Sequence, residues 1–277
     1  MVHDAIMADA GLLEELMDLA WPAPDREELA GWVLRAAGGV TQRANSVWPR
    51  VRAADPAALS AATLWYRSRR LPLIFQVSDD PRSAELNALL DAGRFTRQSE
   101  TLILARGPEG IRPGAVPGVE LAAAPSEEWL RLWWSVDGRG GDAELETARG
   151  ILAGCPSLYA LVRDDDGLPA AVGRLALPEG ALPEGALPEG AHPTAVPAGW
   201  GGLYCMATAR KYRRQGYAGR ILDALLSAGV DRGATNFWLM VTAGNAAAQA
   251  LYAGAGFVER GRYLYRQAPL QRALTGC

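Results

Sequence analysis

The residues best placed to do chemistry form a short basic stretch at positions 213–219. An apolar run predicted as a strand, residues 200–206, precedes this stretch, and apolar residues at helical spacing follow it from Arg220 onward. The first backbone N–H groups of a helix have no partner inside it, and the helix dipole adds partial positive charge there. Because Gly216 and Ala218 leave room for a phosphate to approach the backbone, the sequence predicts a diphosphate site.

Two other phosphate-binding motifs are absent. The P-loop spacing GxxxxGK[ST] does not occur, so hydrolysis of a nucleoside triphosphate is not expected. A dinucleotide fingerprint is also absent, since the nearby residues 254–256 close a predicted helix instead of opening one. A solvated helix start with incidental arginines is the competing interpretation. The residues predicted to bind the phosphates are Arg213, Arg214, Gln215, Gly216, Tyr217, Ala218 and Gly219.

The spacing Arg-x-x-Gly-x-Ala, from Arg213 to Ala218, resembles the coenzyme A loop of the GNAT superfamily of N-acetyltransferases, whose pattern is Gln/Arg-x-x-Gly-x-Gly/Ala. A second part follows in that superfamily's order: a strand (237–241), Asn245, a helix (246–253) with Leu251-Tyr252 near its end, and Gly256-Phe257. Asn245 also fits a plain helix N-cap, and Gly254 and Gly256 fit helix-stop residues. Neither structural role explains why both parts occur in this order. The resemblance covers about residues 119–266.

The resemblance implies an α/β (α+β) fold with two GNAT-like mixed β-sheets flanked by helices, the N-terminal copy being degenerate. It implies acetyl-CoA as co-substrate and, as acceptor, a primary amine of a small molecule or an exposed peptide amino group. Backbone groups near Met206, Ala207 and Thr208 are expected to hold the pantetheine arm, where a β-bulge is usual, and Asn245 is counted with them as a cofactor residue. Tyr252 is expected to protonate the leaving thiolate, with simple packing of its helix as the competing role.

A general base is harder to assign. Many relatives place a carboxylate on the strand before the loop, but residues 200–206 contain none. Carboxylates in or near the first two helices of the second half are Glu127, Glu128, Asp137 and Asp142. Asp137 is the preferred candidate, with a simple turn residue and water-mediated deprotonation as alternatives.

Composition narrows the class of protein. Of the 277 residues, 49% are hydrophobic, a fraction typical of a globular protein with a substantial core. The net charge of −3 does not indicate a surface that binds nucleic acid. The cysteines (155, 205 and 277) and the two histidines (3 and 192) show no metal-binding spacing, so no metal is expected. No apolar run approaches the roughly 20 residues that span a bilayer, and the N-terminus is unlike a signal peptide. We expect a cytoplasmic monomer or homodimer that binds neither nucleic acid nor membrane.

The chain is predicted to have two halves. A glycine- and proline-rich stretch at 107–118 favours a degenerate GNAT-like domain without a coenzyme loop at 1–110, a linker at 111–118 and the acetyltransferase domain at 119–277. Leu90 stands where the second half has Tyr252, and residues 48–54, directly before the predicted helix 55–69 of the first half, contain no glycine. Residues 41–48 are predicted as a strand with a solvated face, or less favourably a substrate surface.

The pentapeptide Leu-Pro-Glu-Gly-Ala occurs three times in tandem at 177–191, within a predicted loop at 177–198. Proline at every fifth position forbids a continuous helix, so an expanded loop between two strands is expected. An inert expansion and a lid over the substrate are both compatible with this pattern.

Three functions fit these observations. The first is an acetyl-CoA-dependent N-acetyltransferase. The second is a catalytically silent acyl-CoA sensor, suggested by the missing strand carboxylate. The third is a mycothiol-synthase-like acetyltransferase, suggested by the tandem layout.

Overall fold

A computed structural model describes residues 10–178 and 199–269 of this chain. The α-helices in these ranges are α1 (Ala10–Ala20), α2 (Pro56–Ser68), α3 (Ala84–Ala92), α4 (Glu127–Asp137), α5 (Asp142–Ala153), α6 (Tyr217–Val230) and α7 (Ala246–Gly254). The strands are β1 (Asp25–Leu29), β2 (Trp32–Ala36), β3 (Trp48–Pro49), β4 (Ile74–Ser78), β5 (Thr96–Arg106), β6 (Val119–Ala122), β7 (Ser157–Arg163), β8 (Pro169–Ala176), β9 (Trp200–Thr208), β10 (Asn236–Thr242) and β11 (Val258–Gln267). The predicted mixed α/β class is confirmed.

The chain divides into two compact units, each built from separate stretches. The larger unit contains Met1–Pro22, Ile103–Val241 and Ala246–Arg260, and the smaller contains Ala23–Leu102, Thr242–Asn245 and Gly261–Cys277. Strands β5 and β11 contribute residues to both. The compact units therefore divide the chain differently from the sequence halves 1–110 and 119–277, which stay a prediction.

The larger unit is built on a sheet with the strand order β10-β9-β8-β7-β6. Neighbours from β6 to β9 are antiparallel, whereas β9 and β10 are parallel. Helix α6 packs on β7, β8 and β9, and α4 packs on β8 and β9. Gly173 of β8 faces α6, whereas the next residue, Arg174, lies beside Trp21 on the opposite face. Because both faces are covered, nearly every residue of β8 is buried.

Helix α6 confirms the helical spacing expected from Arg220 onward. Its apolar stripe of Ile221, Leu222, Leu225 and Leu226 is buried in the unit's core. The other elements expected around the loop also form, since β9, β10 and α7 cover the predicted ranges 200–206, 237–241 and 246–253. These are the elements that position the candidate site.

The repeat-containing loop is flanked by two described strands. Strand β8 ends at Ala176 and β9 begins at Trp200, and the two strands pair antiparallel from Ala176–Gly202 onward. The predicted loop at 177–198 therefore connects two neighbouring strands. From residue 179 to 198 it lies outside the described residues.

The smaller unit contains the antiparallel sheet β1-β2-β3 and strand β4, which pairs with residues 263–267 of β11. Helices α2 and α3 contribute to a core that includes Trp32, Tyr66, Phe75 and Leu86. The fully buried Arg35 donates hydrogen bonds to Ser46 and to Gln76 Oε1 at 3.0 Å.

The predicted strand at 41–48 is wrong for residues 41–46, which form turns. The buried Asn45 side chain organises them. Its Oδ1 accepts hydrogen bonds from the N–H groups of Ala37 and Gly39, and its Nδ2 donates to the carbonyls of Val40 and Thr41. Asn45 and Ser46 are thus internal turn residues, and neither a solvated strand face nor a substrate surface.

No helix in the described ranges is both long and apolar enough to cross a bilayer. The described side chains also include no group of three or more histidine, cysteine, aspartate or glutamate residues placed to hold a metal ion.

Candidate active site

The basic loop between β9 and α6 has the shape of an anion site. A short 3₁₀ turn, Arg210–Tyr212, leads into it, and α6 begins at Tyr217. Gly216, the N-cap residue, has φ +83° and lies in the left-handed region that favours glycine. The exposed N–H groups of the first helical turn have no carbonyl partner within α6.

The space over this helix start is open. A Cβ built on Gly216 or Gly219 would meet no heavy atom within 4 Å. The backbone at these two positions is therefore not covered by a side chain, as a phosphate site at a helix start requires.

Two arginines of the loop are exposed beside this opening. Among the described residues, the Arg214 guanidinium contacts no carboxylate, and Arg213 Nε makes only a 3.4 Å hydrogen bond to the Thr208 carbonyl. Arg220, which belongs to the same cluster in sequence, behaves differently. Its guanidinium donates to the carbonyls of Pro117 and Gly118, at 3.1 and 3.4 Å, and so holds the 107–118 stretch.

Strands β9 and β10 separate just before the loop. Their parallel pairing runs from Trp200–Asn236 to Leu203–Leu239, and both strands continue beyond the last pair. Beyond Leu203 and Leu239 the two strands continue without further paired positions, so their backbones diverge before the basic loop.

A β-bulge lies at the point of separation. Tyr204 pairs with Arg174 and Ala207 with Val172, so that Cys205 and Met206 together oppose Gly173. Cys205 has φ +53°, a left-handed conformation that costs about 1 kcal/mol or more for a residue with a side chain. The β-bulge expected near Met206, Ala207 and Thr208 is confirmed, and it turns local backbone groups away from the β8 ladder.

Tyr252 on α7 is buried, with 7% of its surface exposed. Its ring packs edge-on against Phe257, with centroids 6.1 Å apart. Desolvation, together with the nearby charge of Asp137, raises the pKa of Tyr252 to about 12. The phenol therefore keeps its proton at neutral pH. In the ranges 10–178 and 199–269, no protein group accepts a hydrogen bond from its hydroxyl.

Asp137, the last residue of α4, carries the negative charge that helps to raise the pKa of Tyr252. Its side chain is partly open to solvent but stands among enough protein atoms that desolvation raises the pKa of its carboxyl. A hydrogen bond from the Trp133 indole and the charge of Arg213 lower that pKa in part. Asp137 thus lies within electrostatic range of both Tyr252 and the basic loop.

Two of the alternative carboxylates of the same region, Glu127 and Glu128, are engaged in ion pairs. Glu127 pairs with Arg149 at 2.8 Å, and Glu128 pairs with Arg163 at 2.7 Å. The latter ion pair lowers the pKa of Glu128. A general base needs a raised pKa and a free lone pair, so Asp137 is the best candidate of the set.

Asp137→Asn is expected to lower kcat/KM about 10- to 100-fold and to remove the acid limb of its pH profile. A base is active when ionised, so the wild-type rate should fall as the pH drops through the raised pKa of Asp137. Because folding raises the pKa of Asp137, the folded protein binds this proton more tightly than the unfolded chain does. This contribution to stability is present below the unfolded-state pKa and is lost as the pH rises through the raised, folded-state pKa. Asparagine should therefore increase the free energy of unfolding at neutral pH, and urea titration can measure this.

Asp142→Asn, at the start of the next helix, is the matched control for both measurements. An unchanged acid limb in the Asp137→Asn enzyme would show that another group titrates there.

The structure brings most of the predicted residues into one unit. Asp137, residues 206–208, residues 213–219 and Tyr252 all belong to the larger unit. Asn245 is assigned to the smaller unit, where its N–H donates to the Thr242 carbonyl at 2.9 Å. The individual roles of these residues stay predictions.

Sequence reasoning missed Gly173 of β8. A Cβ there would lie 2.6 Å from Ile221 Cγ2 and 2.7 Å from Met206 Sδ. The glycine therefore lets the side chains of α6 and of the bulge pack closely against β8. A glycine inside an apolar strand was the available signal, because such glycines often mark a bulge or a close approach.

A cavity of about 580 Å³ lies elsewhere in the larger unit, between α6, the C-terminal end of α7 and residues 106–116. None of the predicted cofactor or catalytic residues lines it. It is therefore separate from the candidate active site.

Comparison with known families and proteins agrees with this geometry. The family model described as "Probable histone acetyltransferase Rv0428c C-terminal" matches residues 8–266. The chain is 24% identical over 266 residues to the uncharacterized N-acetyltransferase YobR of Bacillus subtilis (strain 168), covering 94% of this chain and 99% of that protein. It is 30% identical over 234 residues to the probable histone acetyltransferase Rv0428c of Mycobacterium tuberculosis, covering 83% of this chain and 65% of that protein.

Solved structures share the fold. A GCN5-related N-acetyltransferase from Kribbella flavida superposes with a TM-score of 0.65 at 18% identity, covering 96% of this chain and 97% of that one. A tandem GNAT protein from the clavulanic acid biosynthesis pathway superposes with a TM-score of 0.60 at 13% identity, covering 94% and 88%.

Proposed function

Because this chain belongs to the Rv0428c C-terminal family of GNAT N-acetyltransferases, we propose that it transfers the acetyl group of acetyl-CoA to a primary amine. Its class, an acyltransferase of the GNAT type, follows from the family. The observation that carries the proposal is the open start of α6, with two exposed arginines, at the place where β9 leaves β10.

The donor would lie along this path. The diphosphate of coenzyme A fits the N–H groups of residues 215–219 and the guanidinium groups of Arg213 and Arg214. The pantetheine arm would follow the backbone of residues 206–208, with Asn245 assigned to the cofactor by resemblance alone. The bulge would then aim a backbone donor at the thioester oxygen, where negative charge develops during attack.

The reaction needs two proton movements. Asp137 would accept a proton from the ammonium form of the acceptor, so that the neutral amine can attack the thioester carbonyl carbon. When the C–S bond breaks, Tyr252 would give its proton to the departing thiolate and regain one from the nitrogen that has formed the amide. The products are the N-acetylated acceptor, coenzyme A with a free thiol, and the proton from the ammonium group, which Asp137 would release to solvent.

The acceptor would be a small-molecule amine or an exposed amino group of a peptide or protein. A carboxylate at the end of α4 favours a cationic amine, and the name of the mycobacterial relative suggests a lysine side chain as one form of it. The further expectations remain part of this proposal: a cytoplasmic monomer or homodimer, no nucleic acid or membrane partner, and no metal.

A silent acyl-CoA sensor is the competing function. It is favoured by one observation, namely that β9 contains no carboxylate that could serve as a base. Tight binding of acetyl-CoA without transfer to any of a broad panel of amines would select it. A mycothiol-synthase-like activity rests on the tandem layout alone.

Replacing both Arg213 and Arg214 by glutamine is expected to raise KM for acetyl-CoA about 30- to 1000-fold and to leave kcat nearly unchanged. Each charged hydrogen bond to a phosphate contributes about 1–2 kcal/mol to binding and little to the chemical step. Release of free thiol with saturating amine measures both constants, and calorimetry with coenzyme A measures affinity directly.

The double variant Arg67→Gln and Arg131→Gln removes the same charge from exposed positions outside residues 213–219 and should bind like the wild type. If wild-type protein binds no coenzyme A thioester by calorimetry, the proposed function is wrong.

A further inference from the structure

The turn that joins β7 and β8 contacts the segment leading into the basic loop. Its Asp164 carboxylate accepts a hydrogen bond from the hydroxyl of Tyr212. Tyr212 is the last residue of the 3₁₀ turn and directly precedes the predicted phosphate-binding residues. The contact ties two segments that are 48 positions apart in the chain.

The Asp164 carboxylate is held rigidly at its own end. Its other oxygen accepts hydrogen bonds from the backbone N–H groups of Leu168, at 2.7 Å, and Asp166, at 3.1 Å. The Asp164 backbone also bonds Leu168 and Gly167 across the turn. Because these bonds fix the carboxylate, it serves as a stationary acceptor for Tyr212.

Tyr212 also contacts the first residue of α6. Only 7% of its surface is exposed, and its ring packs edge-on against Tyr217, with centroids 5.8 Å apart. Tyr217 is the first residue of α6, so its N–H is one of the groups predicted to meet phosphate. The guanidinium of Arg220 also contacts Tyr217, 5.7 Å from the ring centroid.

The loop between these anchors has little to hold it. The Arg213 N–H makes a long 3.4 Å bond to the Arg210 carbonyl, and Gln215 Nε2 donates to the Lys211 carbonyl at 3.1 Å. Arg214, with φ +66°, occupies a conformation that is unfavourable for a residue with a side chain. A strained loop with few bonds keeps its shape only when its flanks are fixed.

We propose that Asp164 and Tyr212 are positioning residues that hold the basic loop and the start of α6 in the shape that binds the coenzyme's diphosphate. This inference rests on the proposed function for the identity of the ligand. Neither side chain need touch the coenzyme. They lower the cost of binding by ordering the loop beforehand.

The test is Tyr212→Phe, which keeps the ring and its packing and removes only the hydroxyl. Calorimetry with coenzyme A should show Kd raised about 3- to 10-fold, the loss expected for one preorganising hydrogen bond. At saturating acetyl-CoA, kcat should be unchanged, a split that general destabilisation of the enzyme would not produce. Asp164→Asn should have an effect of the same size, and the two changes together should cost no more than either alone.

Hydrogen exchange of the free protein gives a second readout that needs no ligand. Backbone N–H groups of residues 213–219 should exchange faster in Tyr212→Phe than in wild type, with unchanged exchange in the core of α6. Asp165→Asn, an exposed neighbour in the same turn, is the matched control and should alter neither measurement.

The outcomes are distinct. Wild-type protein that binds no coenzyme A would overturn the proposed function and this inference together. Wild-type binding with equal affinity and equal loop exchange in Tyr212→Phe would overturn the positioning role alone. If Tyr212→Phe fails to fold, Asp164→Asn decides the question by the same two measurements.

Discussion

Tyr252→Phe is expected to lower kcat by about two to three orders of magnitude while leaving the affinity for acetyl-CoA nearly unchanged. The variant keeps the buried ring and its contact with Phe257, so the helix should pack as before. What it removes is a phenol whose pKa is raised to about 12 and which therefore always carries a proton to donate. Thiol release with saturating acetyl-CoA and amine measures the rate, and calorimetry measures binding.

Tyr159→Phe is the matched control for this experiment. Tyr159 is buried in the same unit, and its hydroxyl donates to the Leu152 carbonyl at 3.1 Å. That carbonyl also accepts from Arg174, so the loss should be small and should leave kcat intact. If Tyr252→Phe turns over at the wild-type rate, its phenol is not the general acid, and the competing role of packing its helix is the correct one.

Gly173→Val is expected to lower the free energy of unfolding by about 3 kcal/mol and to abolish detectable binding of acetyl-CoA. The new side chain would start within 2.6 Å of Ile221 Cγ2 and 2.7 Å of Met206 Sδ. Relief requires the side chains of Ile221 on α6 and Met206 at the bulge to shift, and these are the two elements that would hold the diphosphate and the thioester. Urea unfolding and calorimetry measure the two effects.

Gly150→Ala provides the contrast. Gly150 lies within α5, and a Cβ there meets no atom within 4 Å. Alanine should stabilise the protein by about 0.5–1 kcal/mol, because glycine is unfavourable inside a helix. Gly173→Val with normal stability and binding would mean that β8 can shift without disturbing the bulge.

The sequence alone predicts those parts of the site that are determined by residues close together in the chain. The strand–loop–helix order around Gly216, the helix that carries Tyr252 and the family itself are all confirmed. Hydrophobic periodicity and a glycine at the helix start are local signals, so they can be read without knowing the fold. The bulge was expected only from the resemblance, and the register between β8 and β9 confirms it.

Other features depend on contacts between distant segments, which no local pattern shows. Arg220 directly follows the predicted phosphate-binding residues, but it bonds carbonyls of the 107–118 stretch. The polar spacing at 41–46 predicts a strand face, but these residues form turns. The buried Asn45 side chain makes hydrogen bonds to backbone groups of Ala37 and Val40 there. The proximity of Asp137 to Tyr252 likewise became visible only once α4 and α7 were placed.

The segment that carries the pentapeptide repeats joins β9 at Trp200, the end of the strand remote from the basic loop. Trp200 and Thr208 are eight residues apart along one strand, or roughly 26 Å. Whole repeats can therefore be gained or lost between Ala176 and Trp200 without shifting the register at the bulge. We expect a change in the number of repeats to leave the turnover rate unchanged. The loop is therefore a suitable place to insert a reporter domain.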